Sequence, residues 1–267
     1  MRAQKILVTN LALALTLVSG YAMADLPYNI CTDIPSCQTQ AATGNMEAEY
    51  NLGLIYDDGI NTKADYTQAV QWYQKAATQG LAVAQYRLGL LYYNGNGVTQ
   101  DKKMAAQLYQ QAVAQGSPYA SVELGSMYQN GEGGLTQDYQ KALTLYQQAA
   151  TAGDVDGSVD AGIMYKEGYG VTKDFVKAQT YYMQAAVTGD ADAAYDLGLL
   201  YYDGGSGVPQ DLNKAYAWFA TADKLTPNDP DTMRLKGEVF ALLPPAQQVT
   251  AKALADQYMA KYGTSSN

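Results

Sequence analysis

Between Ala84 and Tyr92 the apolar positions Ala84, Leu88, Leu91 and Tyr92 fall at i, i+4, i+7 and i+8, the spacing of one buried helix face. The pattern stops at Gly95-Asn96-Gly97, where glycines can take the left-handed backbone of a helix cap and turn. Asp101 then stands as a candidate N-cap of a second helix, whose apolar face carries Ala105, Tyr109 and Ala112. The unit predicted is a pair of helices joined by a short glycine turn.

The same unit is written five times. Marker glycines stand at Gly44, Gly80, Gly116, Gly153 and Gly189, 36 or 37 residues apart. With each marker as position 1, position 10 is glycine (Gly53, Gly89, Gly125, Gly162, Gly198) and position 13 is tyrosine (Tyr56, Tyr92, Tyr128, Tyr165, Tyr201). Position 16 is glycine again, at Gly59, Gly95, Gly131, Gly168 and Gly204. After one-residue insertions near Gly134 and Ser206, the aspartates Asp65, Asp101, Asp138, Asp174 and Asp211 align as N-caps, and Asp65 with Gln68 resembles a capping box. Ser117-Pro118 suits a cap followed by an N1 proline.

A glycine inside a helix costs about 1 kcal/mol relative to alanine. Paying that at every position 10 predicts that a neighbouring helix passes too close for a side chain. Small residues flank large rings along the second helices, as in Ala69, Tyr73 and Ala76, with Tyr109, Tyr146, Tyr182 and Phe219 as the later rings. The rings are expected to fill the gap to the next unit. No unit could bury its apolar face alone, so the units must stack.

Leu88-Gly89-Leu90-Leu91-Tyr92, Gly95-Asn96-Gly97-Val98, Asp101, Ala105, Tyr109 and Ala112 resemble the Sel1-like repeat family, relatives of the tetratricopeptide repeats. The equivalents span residues 44–225. The first unit departs from the pattern, with Asn61-Thr62 in its turn. The resemblance implies an all-α, right-handed α-solenoid of five helix-turn-helix repeats, with first helices lining a concave face. From Thr226 the pattern changes: Asn228 to Leu242 and Ala246 to Tyr262 read as two more helices that cap the stack over 226–262, followed by a tail at 263–267.

The amino terminus has a different character. Arg2 and Lys5 precede an apolar run from Ile6 to Val18, and Ala22-Met23-Ala24 offers a small-x-small cleavage site. Residues 1–24 are therefore expected to be a signal peptide, too short in its apolar run to span a bilayer, with a mature chain from Asp25 in the periplasm or outside the cell. In that oxidising setting Cys31 and Cys37, the two cysteines of the chain, are expected to form a disulfide within an N-terminal segment at 25–43. The residues before Cys31 do not suit lipidation.

The whole chain is 48% hydrophobic and 16% charged, the composition of a folded protein, with a net charge of −9. Cleavage would remove Arg2 and Lys5 and make the charge two units more negative. That sign argues against nucleic acid and anionic membranes, and favours neutral or basic partners.

Catalytic signals are absent from the sequence. It has no histidine, the commonest general base, and neither Ser-x-x-Lys nor Gly-x-Ser-x-Gly occurs. Cysteine-rich members of the resembled family are linked to β-lactams, but their in-repeat cysteine pairs are missing here. Gly95-Asn96-Gly97 and Gly168-Tyr169-Gly170 join two helices rather than a strand and a helix, so they do not match phosphate loops. Asp57-Asp58-Gly59 and Asp203-Gly204 lack the spacing of a calcium loop. The chain is read as a non-enzymatic protein without cofactor or metal, and its oligomeric state is not indicated.

What remains is recognition. Positions 7, 11 and 14 point away from the packed face of each first helix. They supply Tyr50, Leu54 and Asp57 in the first unit and Tyr86, Leu90 and Tyr93 in the second. The third gives Val122, Ser126 and Gln129, the fourth Val159, Ile163 and Lys166, and the fifth Tyr195, Leu199 and Tyr202. These are the candidate binding face, with Asp58, Glu167 and Asp203 at its edge to suit a partner bearing basic residues. The expected function is an exported adaptor holding a protein or peptide. The alternatives are an inhibitor or immunity protein acting on a toxin or cell-wall enzyme, and a glycan or peptidoglycan binder or hydrolase.

Overall fold

A computed structural model describes residues 31, 33–60 and 62–264. The expected signal peptide and its cleavage site, Asn61 and the last three residues of the tail lie outside the described residues. Thirteen α-helices run through the described residues, with one isolated bridge, Gly205 to Val208, in the fifth repeat's turn. The chain divides into two compact units, residues 1–137 and 138–267. None of the helices described is long and apolar enough to cross a membrane.

The first unit holds α1 (Ile34–Ala41), α2 (Met46–Asp58), α3 (Tyr66–Thr78), α4 (Ala82–Asn94), α5 (Lys102–Val113) and α6 (Pro118–Asn130). Helix α1 was not foreseen: eight residues opening Ile-Pro-Ser carry no helical period to read. Its N-cap Asp33 accepts from Ser36 N–H at 2.9 Å. A disulfide joins Cys31 to Cys37, and both pack with Ala41, Ala48, Leu52 and Ile55 against α2.

The second unit holds α7 (Tyr139–Thr151), α8 (Val155–Glu167), α9 (Phe175–Ala186), α10 (Ala191–Asp203), α11 (Leu212–Leu225), α12 (Pro230–Leu242) and α13 (Pro245–Tyr262). Helix α12 starts two residues later than the sequence suggests, because Asn228 sits at φ 68° and Asp229 caps the helix instead.

Hairpins of both units obey one local rule. Each of Asp65, Asp101, Asp138, Asp174 and Asp211 accepts backbone N–H groups of the first turn it opens, at 2.9–3.1 Å. The N–H of the cap itself returns to the carbonyl of the position-13 tyrosine: Asp65 to Tyr56, Asp101 to Tyr92, Asp174 to Tyr165 and Asp211 to Tyr201, at 2.8–2.9 Å. The turn is thereby closed at both ends. Gly59, Gly95, Gly131 and Gly168 cap the first helices in the left-handed conformation, at φ 68–76°.

A neighbouring helix does crowd position 10 at Gly53, Gly89, Gly162 and Gly198. It is the second helix of the same repeat, and the part pressed against the glycine is its aromatic ring. A Cβ built on Gly162 would lie 2.6 Å from Cε1 of Tyr182, and one on Gly198 would lie 2.6 Å from Cε1 of Phe219. Gly89 meets Tyr109 in the same way, and Gly53 meets Tyr73. Each ring is seated on its own hairpin and buried completely or nearly so. Contact between successive repeats comes partly from a turn glycine: a Cβ on Gly133 would lie 2.5 Å from the carbonyl oxygen of Lys102, which opens the preceding second helix.

Candidate functional site

Helices α2, α4 and α6 present positions 7, 11 and 14 in the first unit. Two of the expected binding residues are not presented at all. Tyr50 is 3% and Leu54 6% exposed, and both belong to the core formed with Tyr73, Leu88 and Leu91. Helix α4 covers them. The Tyr50 ring lies 5.7 Å from that of Tyr73, and burial raises its hydroxyl pKa against the opposing pull of Arg87. Asp57 is half-buried and accepts a hydrogen bond from the Tyr73 hydroxyl at 3.1 Å. Burial is the main reason its carboxyl is raised above the ordinary range; Arg87 pulls the other way and Asp58 adds to the rise.

In α4 the three candidates, Tyr86, Leu90 and Tyr93, are all half-buried. Tyr86 stacks on Tyr119 with centroids 5.7 Å apart, so part of its face is spent on packing. The Tyr93 hydroxyl donates to Glu132 Oε2 at 2.7 Å, and Lys102 Nζ reaches the same oxygen at 2.9 Å while lying 4.5 Å above the Tyr93 ring. These two donors, Lys102 first and Tyr93 second, hold the Glu132 carboxyl below its usual value. Its contribution to stability is therefore present above the ordinary carboxylate pKa and fades as pH falls through the depressed one. In Tyr93→Phe the Glu132 carboxyl should titrate at higher pH than in the parent, as followed by NMR; an unchanged titration would mean that Lys102 alone sets it. Val122, Ser126 and Gln129 on α6 are also half-buried.

The second unit presents the same positions on α8 and α10. Val159 is 2% exposed and belongs to the interior. Ile163, Lys166, Tyr195, Leu199 and Tyr202 are half-buried. Tyr195 meets Phe219 edge-on at 5.6 Å, and Lys166 Nζ lies 3.8 Å from Glu167 Oε1. The edge acids Asp58, Glu167 and Asp203 are exposed.

The sequence reading overlooked position 8. It carries Arg87, Glu123, Asp160 and Asp196, all half-buried and all acting electrostatically on a buried position-30 tyrosine hydroxyl. A charged residue next to position 7 in four successive repeats was the available signal. Among the described residues no group of three or more histidine, cysteine or acidic side chains is placed to hold a metal ion.

Paired helices closed by glycine turns and repeated along the chain define an α-helical repeat protein. The chain belongs to the Sel1 repeat family, whose pattern matches residues 47–81, 82–117, 118–154, 158–186 and 191–222, more than half of the sequence. Among solved structures it is similar to c5321, described as a protective antigen present in uropathogenic Escherichia coli strains, with 30% identity and a TM-score of 0.77 over 85% of this chain. The chain spans only 48% of c5321. A Sel1 repeat protein from Oxalobacter formigenes is 31% identical with a TM-score of 0.70, covering 84% of this chain and 92% of that one. A sel1 repeat protein from Klebsiella pneumoniae subsp. pneumoniae is 28% identical with a TM-score of 0.50, over 76% of this chain and 97% of its own. The sequence matches none of the curated proteins.

Proposed function

We propose that the chain is a non-enzymatic scaffold that binds a protein or an extended peptide on the first-helix faces of its repeats. The observation that carries this reading is the set of large side chains left half-buried after the repeats have packed: Leu90 and Tyr93 in the first unit, and Ile163, Leu199 and Tyr202 in the second. In these repeats the side chains stay partly exposed after packing, which leaves area for a partner to bury. The acidic balance of the chain favours a partner with basic residues. The disulfide between Cys31 and Cys37 suits an oxidising compartment, in keeping with a periplasmic or secreted adaptor.

The test is affinity capture by the tagged full-length protein, at low salt so that charge recognition is not screened, with mass spectrometry of what is retained. Leu90→Ala combined with Leu199→Ala should cut retention of the main partner roughly 30- to 700-fold, at about 1–2 kcal/mol for each of the two buried contacts. A doubly substituted protein that keeps the parent helicity and still retains its partner would refute the first-helix faces as the binding surface.

A further inference from the structure

Helix α12 keeps the register of a first helix beyond the fifth repeat. Like α10 it is 13 residues long and opens on an aspartate cap: Asp229 accepts from Thr232 N–H at 2.8 Å, as Asp190 accepts from Ala193 N–H at 2.7 Å. Asn228, at φ 68°, takes the left-handed place of Gly189 at φ 85°. Counted from these two residues, Thr232 matches Ala193, Met233 matches Ala194 and Gly237 matches Gly198, with Val239 on Leu200 and Phe240 on Tyr201. The side facing the preceding second helix is built alike in both. Thr232 and Val239 are buried as Ala193 and Leu200 are, and Phe240 meets Tyr216 of α11 as Tyr201 meets Gln179 of α9.

The other side differs. In a regular repeat it is closed by the repeat's own second helix: Gln79 donates to Glu49 and Gln115 to Gln85 at position 6, and a ring rests on the position-10 glycine. Ala194 is accordingly fully buried, and Gly198 lies under Phe219. In α12, Met233 is 48% exposed, and a Cβ built on Gly237 would meet nothing within 4 Å. Helix α12 ends in extended backbone at Leu243 rather than at a left-handed glycine, and α13 then packs along α11. It does so on the outward side of α11, where Leu254 and Met259 lie against Ala217 and Ala220, in the register of the exposed Gln71 and Gln74 of α3. The glycine face of α12 stays open.

The chain's own hairpins show what fits such a face. It is a helix whose ring has alanines four residues before and three after, as in Ala178, Tyr182 and Ala185 or Ala215, Phe219 and Ala222. A second copy has none to offer, because its five rings of this kind are buried in their own hairpins. The open face is continuous with the α11–α12 junction, so an incoming helix extends a repeat interface that already exists. Arg234 is paired with Asp231 and Glu238, and Lys236 with Asp223, which leaves shape and apolar contact to select the occupant.

We propose that Met233, Gly237 and Phe240 of α12 form a docking site for one amphipathic helix of a partner protein, carrying an aromatic residue flanked by small ones, which completes a sixth hairpin. This surface is separate from positions 7, 11 and 14 of the repeats and does not depend on their role.

The probe is a fluorescein-labelled peptide of residues 174–188, whose ring is Tyr182, titrated with the full-length protein and read by anisotropy. Saturable binding is expected below about 100 μM, since a short helix must order as it docks. Gly237→Ala places a methyl where the ring would rest; it should keep or raise the melting temperature yet weaken binding about tenfold. Met233→Lys should weaken it to a similar degree, and a peptide carrying Tyr182→Ala should bind about tenfold less tightly. Val249→Lys, at an exposed apolar residue of α13, should change nothing. Absence of saturable binding, binding that survives both Gly237→Ala and Met233→Lys, or equal weakening by Val249→Lys would overturn the docking site. A full-length dimer in sedimentation that Gly237→Ala converts to monomer would overturn the partner helix in favour of a second copy.

Discussion

Trp218→Ala should destabilise the second unit by about 3–5 kcal/mol and free α13 before the repeats themselves unfold. Trp218 is 1% exposed, and its ring lies 4.8 Å from that of Tyr258 and 5.1 Å from that of Tyr262, both on α13. The fully buried side chains that α13 contributes are only Ala251 and Ala255, which give little apolar area by themselves. Its hold on α11 therefore comes from these three rings, from Leu254 and Met259 packed against Ala217 and Ala220, and from the hydrogen bond from Lys224 Nζ to the Met259 carbonyl at 2.9 Å. Truncating the indole removes the common partner of both tyrosines and leaves a cavity on α11. Hydrogen exchange should show the amides of 245–262 losing protection while those of α10 keep theirs. Because the indole N–H has no partner among the described residues, Trp218→Phe should cost much less than Trp218→Ala. Uniform loss of protection across the unit would show instead that α13 and the repeats open together.

The hairpin rule was legible because the chain states it five times. Aspartate caps, left-handed glycines and buried rings recur at fixed spacing, and each has a local physical cause that one repeat suffices to express. What a position touches beyond its own hairpin was not legible in the same way. Tyr50 and Leu54 have the register of Tyr86 and Leu90, yet the first pair is buried and the second only half-buried. Helical periodicity assigns a residue to a face; which neighbour covers that face depends on tertiary packing. Position 8 was missed for a related reason. Arg87, Glu123, Asp160 and Asp196 look like solvated charges one residue beyond the expected face, and only the packed structure sets them against the buried hydroxyls of Tyr73, Tyr109 and Tyr182.

The repeated and the varied positions also meet in one place. The ring at position 30 recurs within the chain, and at Tyr73, Tyr109, Tyr182 and Phe219 it seats on the position-10 glycine of its own hairpin. In the tyrosines the hydroxyl projects from that fixed seat toward positions 8 and 14, which change from repeat to repeat. Tyr73 finds Asp57 there, whereas Tyr109 and Tyr182 find no hydrogen-bond partner among the described residues. A constant structural part thus delivers a polar atom to a variable environment, which is how one fold can present different chemistry at successive junctions.

The glycine under the ring carries the second large prediction. A Cβ on Gly89 would lie 2.5 Å from Cε1 and 2.8 Å from Cδ1 of Tyr109, a fully buried ring with no room to withdraw. Alanine at this position gains about 1 kcal/mol of helix propensity but must displace the ring, at a cost of about 1–3 kcal/mol. Gly89→Ala should therefore be neutral to moderately destabilising, and Gly89→Val, with two further methyls, should lose about 3 kcal/mol in urea unfolding. Gly237 in α12 supplies the contrast. It too lies inside a helix, but a Cβ there would meet nothing within 4 Å, so Gly237→Ala should stabilise by up to about 1 kcal/mol. If crowding by the ring is the cause, Tyr109→Leu should make Gly89→Ala less costly than it is in the parent, a coupling of about 1 kcal/mol in a double-mutant cycle. Additive costs would mean that the glycine is required for some reason other than the ring resting on it.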